Sequence, residues 1–441
     1  MRRYGFPALV LLSLALVSGL ASCSSPKTTT GQPREASAST FTGDEVVKPF
    51  KKRNGKPFRI AVVQSGDYFA YNDVLVSIRD GLAELGWVGK VDLSPEVRAS
   101  VPNILQAWNQ LPASASASTT TIFHRKTSAS LPGSLSAQNN GPQYITFPPE
   151  SFIDLNWTED PNPPPALMAL LGGERGVDLV ISLGTLAGTF VSKVAQAGKL
   201  RVPVMIESVS DPLGAKIIPS LTDSGNDLVS ASFDPGAYAR QVRMFHQVTG
   251  FRRLGLIYTD TETGRSYAAL DKVTNASKDL GFTIVPNTEV LEDPPDPKDI
   301  PKAEAAYVRA MEAIGPKVDA VYLAIQAGLT KDSLPAIIAV AERHRLPTFI
   351  MEGADFVWRG ALLGESNTLQ TIEGLYSARK LTRILAGILP RLLPQSNPHV
   401  PHIAINLAEA RKLALDIPVD ALLSADDVFT TILVDSPEVK K

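Results

Sequence analysis

Cysteine is nearly absent: the 441 residues contain one, Cys23. That excludes an intramolecular disulfide, a cysteine-built zinc site and an iron–sulfur cluster. Histidine is scarce, five in all, and none stands in an HExxH arrangement, which argues against helix-borne metalloprotease chemistry. His399 and His402 flank a proline without a clear acidic partner, so they read as a surface loop rather than a metal pair. No Walker-type glycine-rich loop and no GxSxG elbow is present, and no nucleophile–base pair stands out. Neither an enzyme nor a cofactor is indicated. The excess of charge is small as well: 43 Lys and Arg against 45 Asp and Glu leave −2, with no strongly basic region to attract nucleic acid. What remains is globular composition, 44% hydrophobic and 20% charged, which excludes a disordered chain and leaves room for two or three domains.

The N-terminus points to a compartment. Arg2 and Arg3 precede an apolar run from Pro7 to Ser22, the pattern of an export signal over residues 1–22. Its end, Leu20-Ala21-Ser22-Cys23, resembles a bacterial lipobox, in which the cysteine is lipidated and becomes the first residue after cleavage. Cys23 is therefore the expected lipidation site. Three alternatives stand beside it: an uncleaved membrane helix, since residues 4–26 carry no charge; an ordinary cleaved signal with a chance cysteine; and a buried structural cysteine, disfavoured by the polar stretch that follows. Ser13, Ser18, Gly19 and the small-residue end favour cleavage. Residues 23–56, rich in Ser, Thr, Pro and charge, read as a flexible tether holding a folded module off the membrane. Ser24 stands where an aspartate is often linked to inner-membrane retention, which leans toward the outer membrane in a host with two.

The rest alternates short apolar runs with helical patterns. Arg59–Gln64, Asp178–Gly184 and Val202–Glu207 read as buried strands. Leu75, Ile78, Leu82 and Leu85 mark a helix ended by Gly86. Asp234-Pro235 reads as an N-cap and first helical proline. A second series follows: strands at Leu254–Thr259, Ala320–Ile325, Thr348–Gly353 and Ala361–Glu365, and one helix through Tyr267, Leu270, Val273 and Leu280 to Gly281. Both series carry a Leu-Gly-aromatic step, at Leu85-Gly86-Trp87 and Leu280-Gly281-Phe282. The alternation predicts an α/β protein of two Rossmann-like lobes with parallel sheets, joined near Leu228–Phe233. The first lobe spans 57–230, interrupted by a low-complexity insertion over 113–142; the second spans 231–354. Asp160–Pro165 reads as a further loose excursion.

In open parallel sheets ligands bind beyond the carboxyl ends of the strands. Those positions hold Gln64, Ser65, Asp67 and Tyr68; Thr185; Ser210 and Asp211; Thr261, Glu262 and Ser266; Gln326; and Glu352 and Asp355. Several of these turns open helices, whose unpaired N–H groups suit a carboxylate. Glu262, Glu352 and Asp355 would pair with an ammonium, and Tyr68 and Trp358 would stack. Taken singly, most of these residue types are ordinary caps and turns.

The order of segments resembles the ABC-transporter substrate-binding lipoproteins grouped with the tryptophan/tyrosine-binding proteins. The segments are IAVVQ, IRDGLAELGW, DLVISLGT, PVMIESVSDPLGA, LGLIYTDTETGRS, GALLGE and, most specifically, Ile405–Phe429 with Asn406, Leu415, Ile417-Pro418 and Ala425-Asp426-Asp427. The resemblance implies a type I periplasmic-binding-protein fold, with residues 355–441 returning across the hinge to complete both lobes. It implies an extracytoplasmic lipoprotein, anchored by lipid in the cell envelope and facing the periplasm or exterior. Such a protein delivers a small-molecule ligand, an amino acid among the candidates, to an ABC permease. It also implies cleft roles for Gln64–Tyr68, Thr185, Ser210-Asp211, Thr261–Ser266 and Gln326. Of the family's Asn-Ser pair after the first strand of the second lobe, only Ser266 has a counterpart. A sensor or protein-interaction scaffold on the same fold is the alternative, motivated by the Ser-rich insertion.

Overall fold

The structure, a computed structural model, describes residues 46–90, 92–109, 143–158, 160–290, 297–366, 370–397 and 401–433. The signal, Cys23, the first part of the tether and the 113–142 insertion lie outside the described residues. From Val46 onward the chain forms one unit that holds both lobes.

The first lobe runs β1 (Phe58–Gln64), α1 (Phe69–Glu84), α2 (Pro95–Arg98), α3 (Val101–Asn109), β2 (Ile145–Thr146), β3 (Phe152–Asp154), α4 (Pro165–Leu171), β4 (Leu179–Leu183), α5 (Thr185–Gln196), β5 (Val204–Glu207) and β6 (Val229–Ala231). Its sheet is ordered β2-β1-β4-β5-β6, with β3 also beside β1, and every pairing is parallel. β1 shows why its sequence is one apolar run. Phe58, Ile60 and Val62 enter the core on one face, Ala61 and Val63 the core on the other. A sheet covered by helices on both sides needs apolar residues at every position.

The second lobe runs α6 (Ala237–Thr249), β7 (Arg253–Ile257), α7 (Glu262–Tyr267), α8 (Leu270–Leu280), β8 (Thr283–Asn287), α9 (Ile300–Ile314), β9 (Ala320–Leu323), α10 (Leu334–His344), β10 (Thr348–Ile350), α11 (Ala354–Trp358) and β11 (Leu363–Ser366). The chain then recrosses. Helix α12 (Gln370–Leu385) lies on α1 of the first lobe, and Gln395 accepts a hydrogen bond from the Ala231 amide at 2.8 Å. Finally β12 (His402–Asn406), α13 (Leu407–Lys412), α14 (Val419–Leu423) and β13 (Asp427–Phe429) rejoin the second lobe. Its sheet is ordered β13-β12-β11-β10-β9-β7-β8, parallel except where β12 runs against β11. The chain thus passes between lobes after β6, after β11 and before β12. This is the type I periplasmic-binding-protein fold.

Several local expectations change. Residues 46–56 are not all tether. Phe50 packs edge-on against Phe58 and Trp87 at 5.2 and 5.5 Å, the Val47 carbonyl accepts from Trp87 Nε1 at 3.1 Å, and Lys52 pairs with Asp178 at 2.7 Å. Asp160–Pro165 is no loose excursion but the lead-in to α4, with Pro165 in its first turn and Lys193 donating to the Pro161 carbonyl at 2.6 Å. Helix α6 begins two residues later than Asp234-Pro235 implies, because Asp234 receives the Gly236 amide at 2.8 Å and pairs with Arg240. The single helix expected before Gly281 is two, broken at Ala269, which stands at φ 46. The lobe boundary falls just after Ala231, the last residue of β6, inside the expected Leu228–Phe233 stretch.

Candidate functional site

Between the lobes lies a cavity of about 750 Å³. The carboxyl ends of both sheets and the hinge passages supply its walls, where this topology leaves a crevice. From the first lobe come Asp67 and Tyr68 after β1, the first turns of α1, Trp157, Thr185 after β4, Glu207 at the end of β5 and Ser208–Ser210 beyond it. The second lobe contributes Gln326 after β9, Met351 and Glu352 after β10, and Glu365 from β11. The hinge adds Ser232–Asp234, Tyr238 and the start of α12.

One contact spans the cavity. The Tyr68 hydroxyl donates to Glu352 at 3.0 Å. Burial pushes the Glu352 carboxyl up to about 7, while the Tyr68 hydrogen bond and Lys331 pull the other way. Tyr68 itself is raised well above its ordinary value, first by burial and then by Glu352. Its ring meets Tyr71 edge-on at 5.2 Å, and Tyr71 lies 6.4 Å from Trp157. Two glycines permit this packing. A Cβ at Gly184 would stand 1.9 Å from the Tyr71 hydroxyl, and Gly184 already holds φ +88. At Gly66 a Cβ would fall 2.2 Å from Trp157 Nε1. Trp157 and Ser208, both on the wall, hold left-handed backbone at φ 52 and 56, a conformation that concentrates at ligand-contacting sites.

Buried ion pairs back the hinge wall. Ser232 donates to Glu207 at 2.9 Å and accepts from Lys380 at 2.8 Å; Lys380 also donates to the Ala231 carbonyl at 2.7 Å. Burial pushes Glu207 up and Lys380 down, and their mutual attraction opposes both shifts. Arg240 donates to Asp234 at 2.9 Å and to Glu365 at 2.7 Å. Gln326 Oε1 accepts from the Thr259 amide at 3.1 Å, which fixes the carboxamide orientation because a backbone N–H can only donate. Its Nε2 is then a buried donor without a partner.

Of the residues singled out from sequence, Asp67, Tyr68, Thr185, Ser210, Gln326 and Glu352 come together in this lining. The others stand elsewhere. Gln64 is buried and donates to Asp154 at 2.7 Å. Ser65 donates to the Leu183 carbonyl and accepts from the Ala187 amide at 3.1 Å, at the start of α5. Asp211 receives the Gly214 amide at 3.1 Å and faces Lys272 of the other lobe at 3.5 Å. Thr261 caps α7 through the Gly264 amide, Glu262 pairs with Lys216 near the surface, and Ser266 is buried in α7. Asp355 pairs with Lys331 and Arg359, and Trp358 stacks on Phe429 at 5.7 Å, so neither reaches the cavity. Sequence reasoning passed over Tyr71, Trp157, Glu207, Tyr238 and Glu365. Glu207 and Glu365 end apolar runs, so the strand-end rule extended by one residue finds them. Trp157 lies between Pro-rich and strand-like stretches and carries no pattern.

Among the described residues no group of three or more His, Cys, Asp or Glu side chains is placed to hold a metal ion, and no helix is long and apolar enough to cross a membrane. A family model described as ABC transporter substrate binding protein matches residues 168–429, more than half of the chain. No curated protein matches it. Among solved structures, a conserved domain protein from Vibrio cholerae O1 biovar El Tor is similar at 18% identity and TM-score 0.54. An ABC domain from Streptococcus pneumonia in complex with L-Trp is similar at 17% and 0.55. The ligand-free, open structure of a substrate binding protein with adhesive properties from Clostridium difficile is similar at 15% and 0.51. Each alignment covers 85% of this chain and 100% of the other.

Proposed function

The chain belongs to the ABC transporter substrate binding protein family, and on that premise we propose that it captures a small organic solute between its lobes and presents the closed form to an ABC permease. The observation that carries this reading is the cavity: about 750 Å³, walled by both lobes and bridged by Tyr68 and Glu352. A ligand that touches both walls favours the closed arrangement by its differential affinity for it. Amino acids head the solutes to test, since a structurally similar chain holds L-Trp. Binding proteins of ABC importers work outside the cytoplasm, and the Cys23 lipobox supports lipid anchorage there, with Ser24 leaning toward an outer membrane.

Thermal unfolding of the purified protein with amino acids, amines, sugars and nucleosides tests the reading. A solute at a hundred times its dissociation constant adds about 2.7 kcal/mol of stability. A flat response to every class refutes it. For the anchor, Cys23→Ser releases the protein from membranes; retention of that variant after a carbonate wash refutes lipidation.

A further inference from the structure

Charge and ring placement narrow the ligand of this cavity, if the solute-binding reading above holds. Among the described residues seven carboxylates line the cavity, and Lys331 is the lone basic side chain in the lining. Some of that charge is answered from behind the wall. Arg240 serves both Asp234 and Glu365, and Lys380 attracts Glu207 across Ser232. Arg98 and, more weakly, Lys331 act on Asp73; Lys331 also acts on Glu352, but its ammonium sits 2.7 Å from Asp355, which is outside the lining. Asp67 and Asp73 thus leave the cavity electronegative, and Glu352, whose hydrogen bond comes from the neutral Tyr68 phenol, adds its charge as a cation beside it draws off its proton.

Rings surround these carboxylates. Tyr68, Tyr71, Trp157 and Tyr238 all line the same space. Aromatic faces that share a lining with carboxylates attract an organic ammonium twice, through the ring quadrupole and through direct charge pairing. Apolar side chains, Val74, Ile78, Ile325 and Leu329 among them, complete the lining and suit an apolar body. A ligand carboxylate finds little. Helix α5 opens at Thr185, but the Ala187 amide in its first turn is already bonded to Ser65 at 3.1 Å. The buried Gln326 Nε2 remains for a neutral acceptor such as a hydroxyl or amide oxygen.

The geometry points to an organic amine of net positive charge, on an aromatic or alkyl body, as the ligand class, with discrimination against the matching zwitterion. The full chain is titrated calorimetrically with three matched triplets, built on indole, phenyl and hexyl bodies, each an amine, its α-amino acid and its carboxylic acid; tryptamine, tryptophan and indole-3-propionate are the indole set. At least one amine binds about tenfold or more tighter than its amino acid, and its acid does not bind. An amino acid as tight as its amine, or a bound acid, overturns the proposal. A sugar that binds where no amine does overturns it too and leaves the solute-binding reading standing; silence from amines, amino acids, acids and sugars alike sinks both. Glu352→Gln weakens the preferred amine about tenfold with an unchanged circular dichroism spectrum, and Glu352→Asp restores part of the loss. Unaltered amine affinity in the Glu352→Gln variant, with the fold intact, also counts against the proposal.

Discussion

Glu352 is a carboxyl that the fold holds partly protonated at neutral pH. Its folded value, about 7, lies above its ordinary 4.5. Between those values the folded state binds more protons than the unfolded state, so stability falls as pH rises from 4.5 through 7. The shift sets an upper bound of about 3 kcal/mol on that loss, less where cavity solvent reaches the group. Chemical denaturation at pH 5 and pH 8 checks it: Glu352→Gln narrows the difference between the two midpoints. Gly184 sets the other residue-scale limit. Gly184→Ala drives a methyl into the Tyr71 hydroxyl from a backbone at φ +88, and costs at least about 1–3 kcal/mol in a urea melt. Local order went part of the way into this lining: the rule about strand ends picks out Tyr68, Gln326 and Glu352. Gln64 and Ser65 obey the same rule and are spent on Asp154 and on the start of α5. Only three-dimensional packing separates these two outcomes.

Among the elements, strands were the most legible. β1, β4, β5 and β9 are mostly apolar on both faces because both faces are covered, and such a run stands out in sequence. Helix ends were less so. The break between α7 and α8 falls at Ala268 and Ala269, both buried, and alanine is the strongest helix former. Packing overrides propensity there and leaves no mark in the residue types. The contact of α1 with α12 carries the return of the chain to the first lobe. A Cβ at Gly374 would stand 2.0 Å from the Ser77 carbonyl oxygen, and one at Gly81 would stand 2.4 Å from the Gly374 oxygen. Gly374→Val therefore pries the helices apart; the expected loss of at least about 3 kcal/mol is read from the urea midpoint. Asn406, fully buried, caps α13 through the Ala408 and Glu409 amides and donates to the Val357 carbonyl at 2.7 Å. Asn406→Ala loses the cap and orphans that carbonyl, and costs about 2–3 kcal/mol by the same measurement.

For the whole molecule, the polar contacts between lobes are unequal. Lys216 and Glu262 are largely exposed, so Lys216→Ala changes neither stability nor shape measurably. The Tyr68–Glu352 bond lies inside, and Tyr68→Phe removes about 1 kcal/mol of closed-state preference. Small-angle scattering of the ligand-free variant gives a larger radius of gyration than the parent, and a saturating ligand reverses it. Equal radii for both proteins without ligand contradict a latch at this position.

Residues 46–56 bear on how such closure proceeds. They are fastened to the first lobe, by Phe50 on Phe58 and Trp87 and by Lys52 on Asp178. Under the anchorage proposed for Cys23, tension from the membrane reaches only one half of the jaw. On that footing the other half swings over its cargo without dragging on the mooring.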